Sequence, residues 1–212
     1  MLSEIWSFLV KGGIMMIPLM FSSVLALAVI IERAVVLRRK RILDPGILIL
    51  VENAETPSEV ETVFSRLEKK DGPFLNILRV CLANRGKDRA SIKEAILDAG
   101  RQEMRYLERY LAVLETIAGV APLLGLLGTV LGMMKIFDVI VTSGLGQTQL
   151  LSRGISEALI TTVVGLFIAI PALVAYNYFT HKVEDFVLEI EKVSSQLMEK
   201  LERKDSGRPA RS

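Results

Sequence analysis

The sequence predicts an all-α integral membrane protein, with three transmembrane helices extended by long cytoplasmic helices. Three observations carry that prediction. Residues 14–31 and 116–134 are uncharged runs of 18 and 19 residues, and residues 155–179 form a run of 25 with one formal charge, Glu157. About 20 apolar residues cross the bilayer core as a helix. Charged residues make up 24% of the 212-residue chain and hydrophobic residues 51%, yet the two are segregated, which marks a membrane protein with a sizeable aqueous part. Lys and Arg are also unevenly shared. Residues 32–115 hold 16 and residues 180–212 hold seven, against one in 1–13 and two in 135–154. Lys and Arg collect on the cytoplasmic side, so the N-terminus is expected outside and the C-terminus inside.

Residues 1–13 are expected to be the outer N-terminus, where Trp6 suits the membrane interface. The first span, 14–31, is preceded by Lys11 and followed by Arg33, Arg38, Arg39, Lys40 and Arg41. Ala26-Leu27-Ala28 mimics a signal cleavage site, but the apolar run continues past it into the basic cluster. That is a stop-transfer arrangement, not a secretory signal.

Residues 32–115 form a cytoplasmic helical domain. Thr56-Pro57-Ser58-Glu59 reads as a helix start, with Thr as N-cap and Pro at the first helical position. Asp71-Gly72-Pro73 breaks the chain and restarts it, and Ser91 with Glu94 reads as a second capping box. From there Ile92, Ala95, Ile96, Ala99, Met104, Leu107, Leu111 and Leu114 recur at helical spacing. With no Pro before Pro122, that helix is expected to enter the membrane as one stalk. The lone Cys81 forms no internal disulfide and reads as a small buried apolar residue. His181 has no Cys or His companion at ligand spacing, so neither a metal nor a cofactor is expected.

The second span, 116–134, carries Ala121, Gly125, Gly128 and Gly132 on one face, with Thr129 beside them. Small residues let membrane helices approach closely. Pro122 removes the bond to the carbonyl of Ala118. Residues 135–154 read as an outer loop in which Lys135 and Asp138 are spaced to pair. In the third span, 155–179, Thr161 and Thr162 follow Glu157 by one turn, above a small-residue stripe of Gly165, Ala169 and Ala172, and Pro171 is a second backbone break. An ionisable group in such a segment faces a bundle interior or a wet cavity, or else marks the headgroup boundary of a plain anchor. Residues 180–212 are a cytoplasmic C-terminal helix and tail. Val183, Phe186, Ile190, Val193, Leu197 and Leu201 approximate an a/d seam, for which residues 91–115 are the economical partner.

The motifs AP-x-x-GL-x-GTV-x-G, from Ala121, and EAL-x-x-T-x-x-GL-x-x-AIPA-x-x-x-YN, from Glu157, resemble those of the ExbB/TolQ family of proton-channel motor subunits, relatives of MotA. The resemblance covers nearly the whole chain. It implies a multi-pass protein of the bacterial inner membrane that assembles as a pentamer around a pore lined by the second and third spans. It implies as partner an ExbD/TolR-like dimer, whose single spans sit in that pore and whose membrane Asp carries the proton, and a TonB- or TolA-like envelope protein on which work is done. By motif, Thr129, Glu157 and Thr162 match family positions, and Thr161 is an extra hydroxyl. Ser152-Arg153 stands where relatives commonly have Ala-Pro, and Arg153 is near enough in sequence to neutralise Glu157.

On this reading the chain conducts protons as a motor subunit. The reading from another class is a structural oligomeric membrane scaffold without ion conduction. Net charge is +2, so nucleic acid is not an expected partner, and no catalytic constellation points to an enzyme. The small-residue stripes are expected to hold the pentamer. Thr129 lies about 20 Å from the cytoplasmic end of its span and Thr162 about 10 Å from the outer end of its own, at ~1.5 Å per residue. In a core about 30 Å thick these depths coincide, which predicts one polar ring.

Overall fold

The computed structural model describes residues 12–43, 45–53, 72–84, 87–143 and 148–205. Among them there are seven helices and no strand: α1 (Met16–Val36), α2 (Arg39–Ile42), α3 (Pro45–Asn53), α4 (Pro73–Ala83), α5 (Arg89–Glu108), α6 (Leu111–Ser143) and α7 (Thr148–Asp205). Trp6, Lys11, the Thr56–Glu59 helix start, Gly144, Gly146 and the tail beyond residue 205 lie outside the described residues. Three helices are long and apolar enough to cross a membrane: α1, Leu111–Thr142 within α6, and Gln149–Gln196 within α7. The chain is therefore an all-α protein with three candidate membrane helices.

The chain divides into two compact units. The first comprises Met1–Arg33 and Tyr110–Tyr178 and holds the three apolar stretches. Its core is made by Leu19, Ala26 and Val29 of α1, Leu114, Ile117 and Ala121 of α6, and Ala158, Ala169 and Ala172 of α7, all buried. Most of these are small or β-branched, because close approach and not bulk drives helix association in lipid. The large apolar side chains point outward instead: Phe21, Leu27, Leu123, Phe137, Phe167 and Val174 are all more than half exposed. A water-soluble surface rarely carries so much apolar area, whereas lipid chains or a neighbouring subunit solvate it well.

Two corrections belong to this unit. Arg33, read as the first residue of the basic cluster after the first span, is buried. Its Nε donates to Glu32 Oε2 at 2.5 Å, its Nη2 to Glu32 Oε1 at 2.7 Å, and its guanidinium lies 4.9 Å from the Tyr110 ring centre. A buried charge persists when it is paired and stacked in this way. The connection between the second and third apolar stretches is also shorter than expected. Residues 135–143 and 148–154 are helical, extending α6 and α7 beyond their apolar runs.

The second unit comprises Ala34–Arg109 and Phe179–Ser212. Gly72 precedes α4 and Pro73 occupies its first turn, where the missing N–H costs nothing. Phe74, Leu75, Ile77, Leu78, Cys81 and Leu82 are all buried, so α4 is covered on most of its circumference. It packs on α5, where Asn76 Nδ2 donates to Glu103 Oε1 at 2.9 Å. The end of α7 buries Val183, Phe186, Ile190 and Val193. The expected partner of that seam is residues 91–115; the contact seen is from α4, with Cys81 Sγ 4.0 Å from the carbonyl oxygen of Ser194. Burial pushes the Cys81 thiol up to about 11.

The start of α5 corrects the expected Ser91–Glu94 box. The N-cap is Asp88, whose carboxylate accepts from Ser91 N at 3.1 Å and from Ser91 Oγ at 2.7 Å. Asp and Ser are both good caps, and the helix begins at the earlier one. The single stalk is corrected as well. α5 ends at Glu108 and α6 begins at Leu111. Between them Arg109 N reaches Tyr106 O, and Val113 N reaches Tyr110 O, three residues back instead of four. That is a tightened joint of the 3₁₀ kind.

Candidate functional site

The site is built on the seam where α6 and α7 of one chain touch. The stripe of α6 faces Gly154, Ala158, Thr161, Thr162 and Gly165 of α7. A Cβ placed on Gly165 would lie 2.6 Å from the carbonyl oxygen of Ala121, and one on Gly125 would lie 2.9 Å from that of Thr161. On Gly128 it would lie 2.6 Å from Thr161 Cβ, and on Gly132, 2.8 Å from Ala158 Cβ. No room exists for any side chain along four successive contacts. The stripes, expected to hold an oligomer together, meet each other within one chain. Periodicity identifies a small-residue face but not the helix that meets it.

Close approach brings α7 hydroxyls onto α6 carbonyls. Thr161 is buried, and its Oγ1 donates to Ala158 O at 2.8 Å and lies 3.4 Å from Gly125 O. Thr162 is half-buried and its Oγ1 donates to Gly125 O at 3.2 Å. Thr129, also half-buried, donates to Leu126 O at 2.5 Å. The Thr129 and Thr162 hydroxyls thus rest on consecutive carbonyls of α6. Thr129 itself lies one helical turn beyond Gly125, about 6 Å along the axis at 1.5 Å per residue. No hydrogen bond joins the two hydroxyls among the described residues, so they occupy adjacent levels of the seam and not one directly bonded ring. The helices run through Pro122 and Pro171 without interruption.

Glu157 has a partner that sequence spacing did not reveal. Its Oε1 is paired with Lys135 Nζ, 22 positions earlier on α6. The expected Arg153–Glu157 and Lys135–Asp138 pairs are replaced by this one. Lys135 lies three residues beyond Gly132 and continues the stripe face, while Glu157 directly precedes Ala158. Since Gly132 and Ala158 are in contact, the backbone itself puts the two charged residues opposite each other. The Glu157 side chain is 18% exposed and that of Lys135 55%. Gly13 borders the carboxylate: its φ is +68°, and a Cβ there would collide with Glu157. An L side chain is disfavoured at that φ as well as by the space. A cavity of about 240 Å³ opens here, bounded by Gly12, Ile14, Met15, Gly128, Leu131, Met134, Lys135 and Glu157.

Lys135 and Gly13 are the residues that sequence reasoning missed. The signal for Lys135 was its place on the extended glycine face. For Gly13 it was the Gly12-Gly13 pair just before an apolar run.

Comparison with known proteins follows the same residues. A family model of the MotA/TolQ/ExbB proton channel family matches residues 66–192. The chain is 35% identical over 178 residues to a putative biopolymer transport protein, ExbB-like 3, of Synechocystis sp., covering 79% of this chain and 81% of that one. It is 42% identical over 85 residues to the Tol-Pal system protein TolQ of Haemophilus influenzae, covering 40% of this chain and 37% of TolQ. It is 37% identical over 90 residues to the biopolymer transport protein ExbB of Aquifex aeolicus, covering 42% of this chain and 61% of that protein. The last two matches span less than two thirds of those relatives.

Proposed function

The chain belongs to the MotA/TolQ/ExbB proton channel family, and from that premise we propose that it is an ion-conducting motor subunit of the inner membrane. In this reading it assembles as a homo-pentamer, N-terminus periplasmic and C-terminus cytoplasmic. An ExbD/TolR-like dimer threads the pore, and proton flow through the complex does mechanical work on a TonB- or TolA-like envelope protein.

The observation that carries the reading is the α6–α7 seam. Two helices apolar enough to cross a membrane bring Thr129, Thr161, Thr162, Glu157 and Lys135 together along one contact line. Polar groups at membrane depth are costly unless they serve packing or a wet path. Thr129 and Thr162 are half-buried, so each can keep its carbonyl bond and still offer lone pairs to water or to a partner's carboxylate. A threonine does not hold a net proton, so this chain forms the wall and the partner supplies the carrier. Each elementary charge crossing releases ~2.3 kcal/mol per 100 mV, enough to bias a rotating contact.

A second reading, a scaffold without conduction, is favoured by Thr161. Its hydroxyl is fully covered and satisfied by backbone carbonyls, which is what packing alone requires. Thr161 is accordingly the weakest member of the ion-path set. Co-reconstitution of the chain with its single-span partner in proteoliposomes tests the choice. Proton uptake under an imposed potential, present with the partner and absent without it, is expected. Sealed vesicles in both cases select the scaffold.

A further inference from the structure

The Lys135–Glu157 pair gives the seam's acid a fixed counter-charge. We infer that Lys135 is a positioning residue: it holds the Glu157 carboxylate in a fixed ion pair, so that Glu157 shapes the wall of the ion path and is not the group the ion binds. The inference rests on the motor reading above.

Four observations support it. Backbone register brings the two positions together, because Gly132 and Ala158 are in contact immediately beside them. The carboxylate is largely covered while the ammonium is the more open member. The cavity they share is walled by Ile14, Met15, Leu131 and Met134, none of which supplies a side-chain oxygen for a metal cation. A hard cation bound there would have to displace the ammonium and would still lack ligands, since such ions take six or more oxygens. Among the described residues the other charged ones nearby are Asp138, one turn past Lys135, and Arg153, one turn before Glu157. Both are exposed, and among the described residues neither is bonded to Glu157. Among the described residues Glu157 is thus held by one cation, on a helix face set by glycines.

The test uses the full chain in complex with its single-span partner, with thermal unfolding and ion flux both measured. Lys135→Gln and Glu157→Gln are each expected to lower the unfolding midpoint and to cut flux about tenfold or more, since each leaves one charge at membrane depth without its partner. Lys135→Arg keeps the charge and should retain flux within about threefold. The Lys135→Gln, Glu157→Gln double variant removes both charges and should recover midpoint and flux well beyond the sum of the single losses, as coupled residues do. Additive losses in midpoint would overturn the pairing. A double variant that is stable yet passes no ions, beside a conducting wild type, would overturn the inference and leave the motor reading standing. Absence of flux from the wild-type complex would instead refute the motor reading, and with it the placing of the pair on an ion path.

Discussion

Gly165→Ala is the sharpest perturbation of the seam. The added Cβ would meet Ala121 O at 2.6 Å, Gly125 Cα at 3.2 Å and Gly125 N at 3.3 Å. Every one of these is backbone, which cannot rotate away. Ordinary van der Waals contact begins at 3.4 Å, so the two helices must part locally by about 0.8 Å. Overpacking of this kind costs ~1–3 kcal/mol. Alanine also gains ~1 kcal/mol over glycine as a helix former, which partly masks the loss. Gly100→Ala is the matched control, because its added Cβ meets nothing within 4 Å. The difference between the two variants cancels propensity and isolates the steric cost, so Gly165→Ala should be ~1–3 kcal/mol less stable than Gly100→Ala. Denaturant unfolding of the purified chain in mixed micelles, followed by circular dichroism, measures it, and native mass spectrometry reports the oligomer in parallel. Equal stability of the two variants would refute the intrachain seam. So would an oligomer that falls apart into protomers of unchanged stability, because the stripe would then lie between chains.

Other expectations follow from the aqueous unit and from topology. Cys81 has its thiol raised from 9.0 to about 11, so the folded chain keeps a proton that the unfolded chain releases. Its stabilisation is full below pH 9 and is lost as pH rises from 9 towards 11, on the order of 3 kcal/mol, and Cys81→Ala should abolish that portion of the alkaline stability loss. The Ser91 hydroxyl and N–H lower the Asp88 carboxyl below 3.8, so the cap stabilises above that pH and its contribution disappears as pH falls through the folded value. Asp88→Asn should keep the cap geometry and remove this acid dependence in a pH-dependent unfolding series, whereas Asp88→Ala should destabilise α5 throughout. A reporter fused at residue 146 should signal the periplasm and one after residue 45 the cytoplasm. A cytoplasmic signal at 146 would contradict the three-span topology.

How much was legible in the sequence depends on the range of the interaction. The helices of the three apolar stretches were legible, because uncharged runs of 18 or more residues have few other solutions. The glycine face of α6 was legible from its 3.6-residue period, and the motifs from Ala121 and Glu157 were specific enough to name the family. The mate of that face was not, since a period is a property of one helix and contact is a property of two. The same limit hid Lys135 as the partner of Glu157: the eye pairs charges three or four apart, and here 22 residues and a helix reversal intervene. Asp88 was passed over as a cap because Ser91 offered the same chemistry three residues later. The joint at Arg109–Tyr110 had no Pro or Gly to announce it. Arg33 looked like a solvated charge because its neighbour Glu32 and the distant Tyr110 become partners once the chain has folded.

The central claim is that the α6–α7 seam forms the wall of an ion path. Ion flux through the complex carrying Thr129→Val and Thr162→Val together tests it most directly. Valine keeps the shape and removes the hydroxyl. Each lost hydrogen bond costs about 0.5–1.5 kcal/mol, too little to prevent folding or assembly. The account predicts an intact complex of wild-type mass that conducts at least about tenfold more slowly, the equivalent of ~1.4 kcal/mol on the barrier. Wild-type flux through the double variant would contradict it, and the seam would then be packing alone.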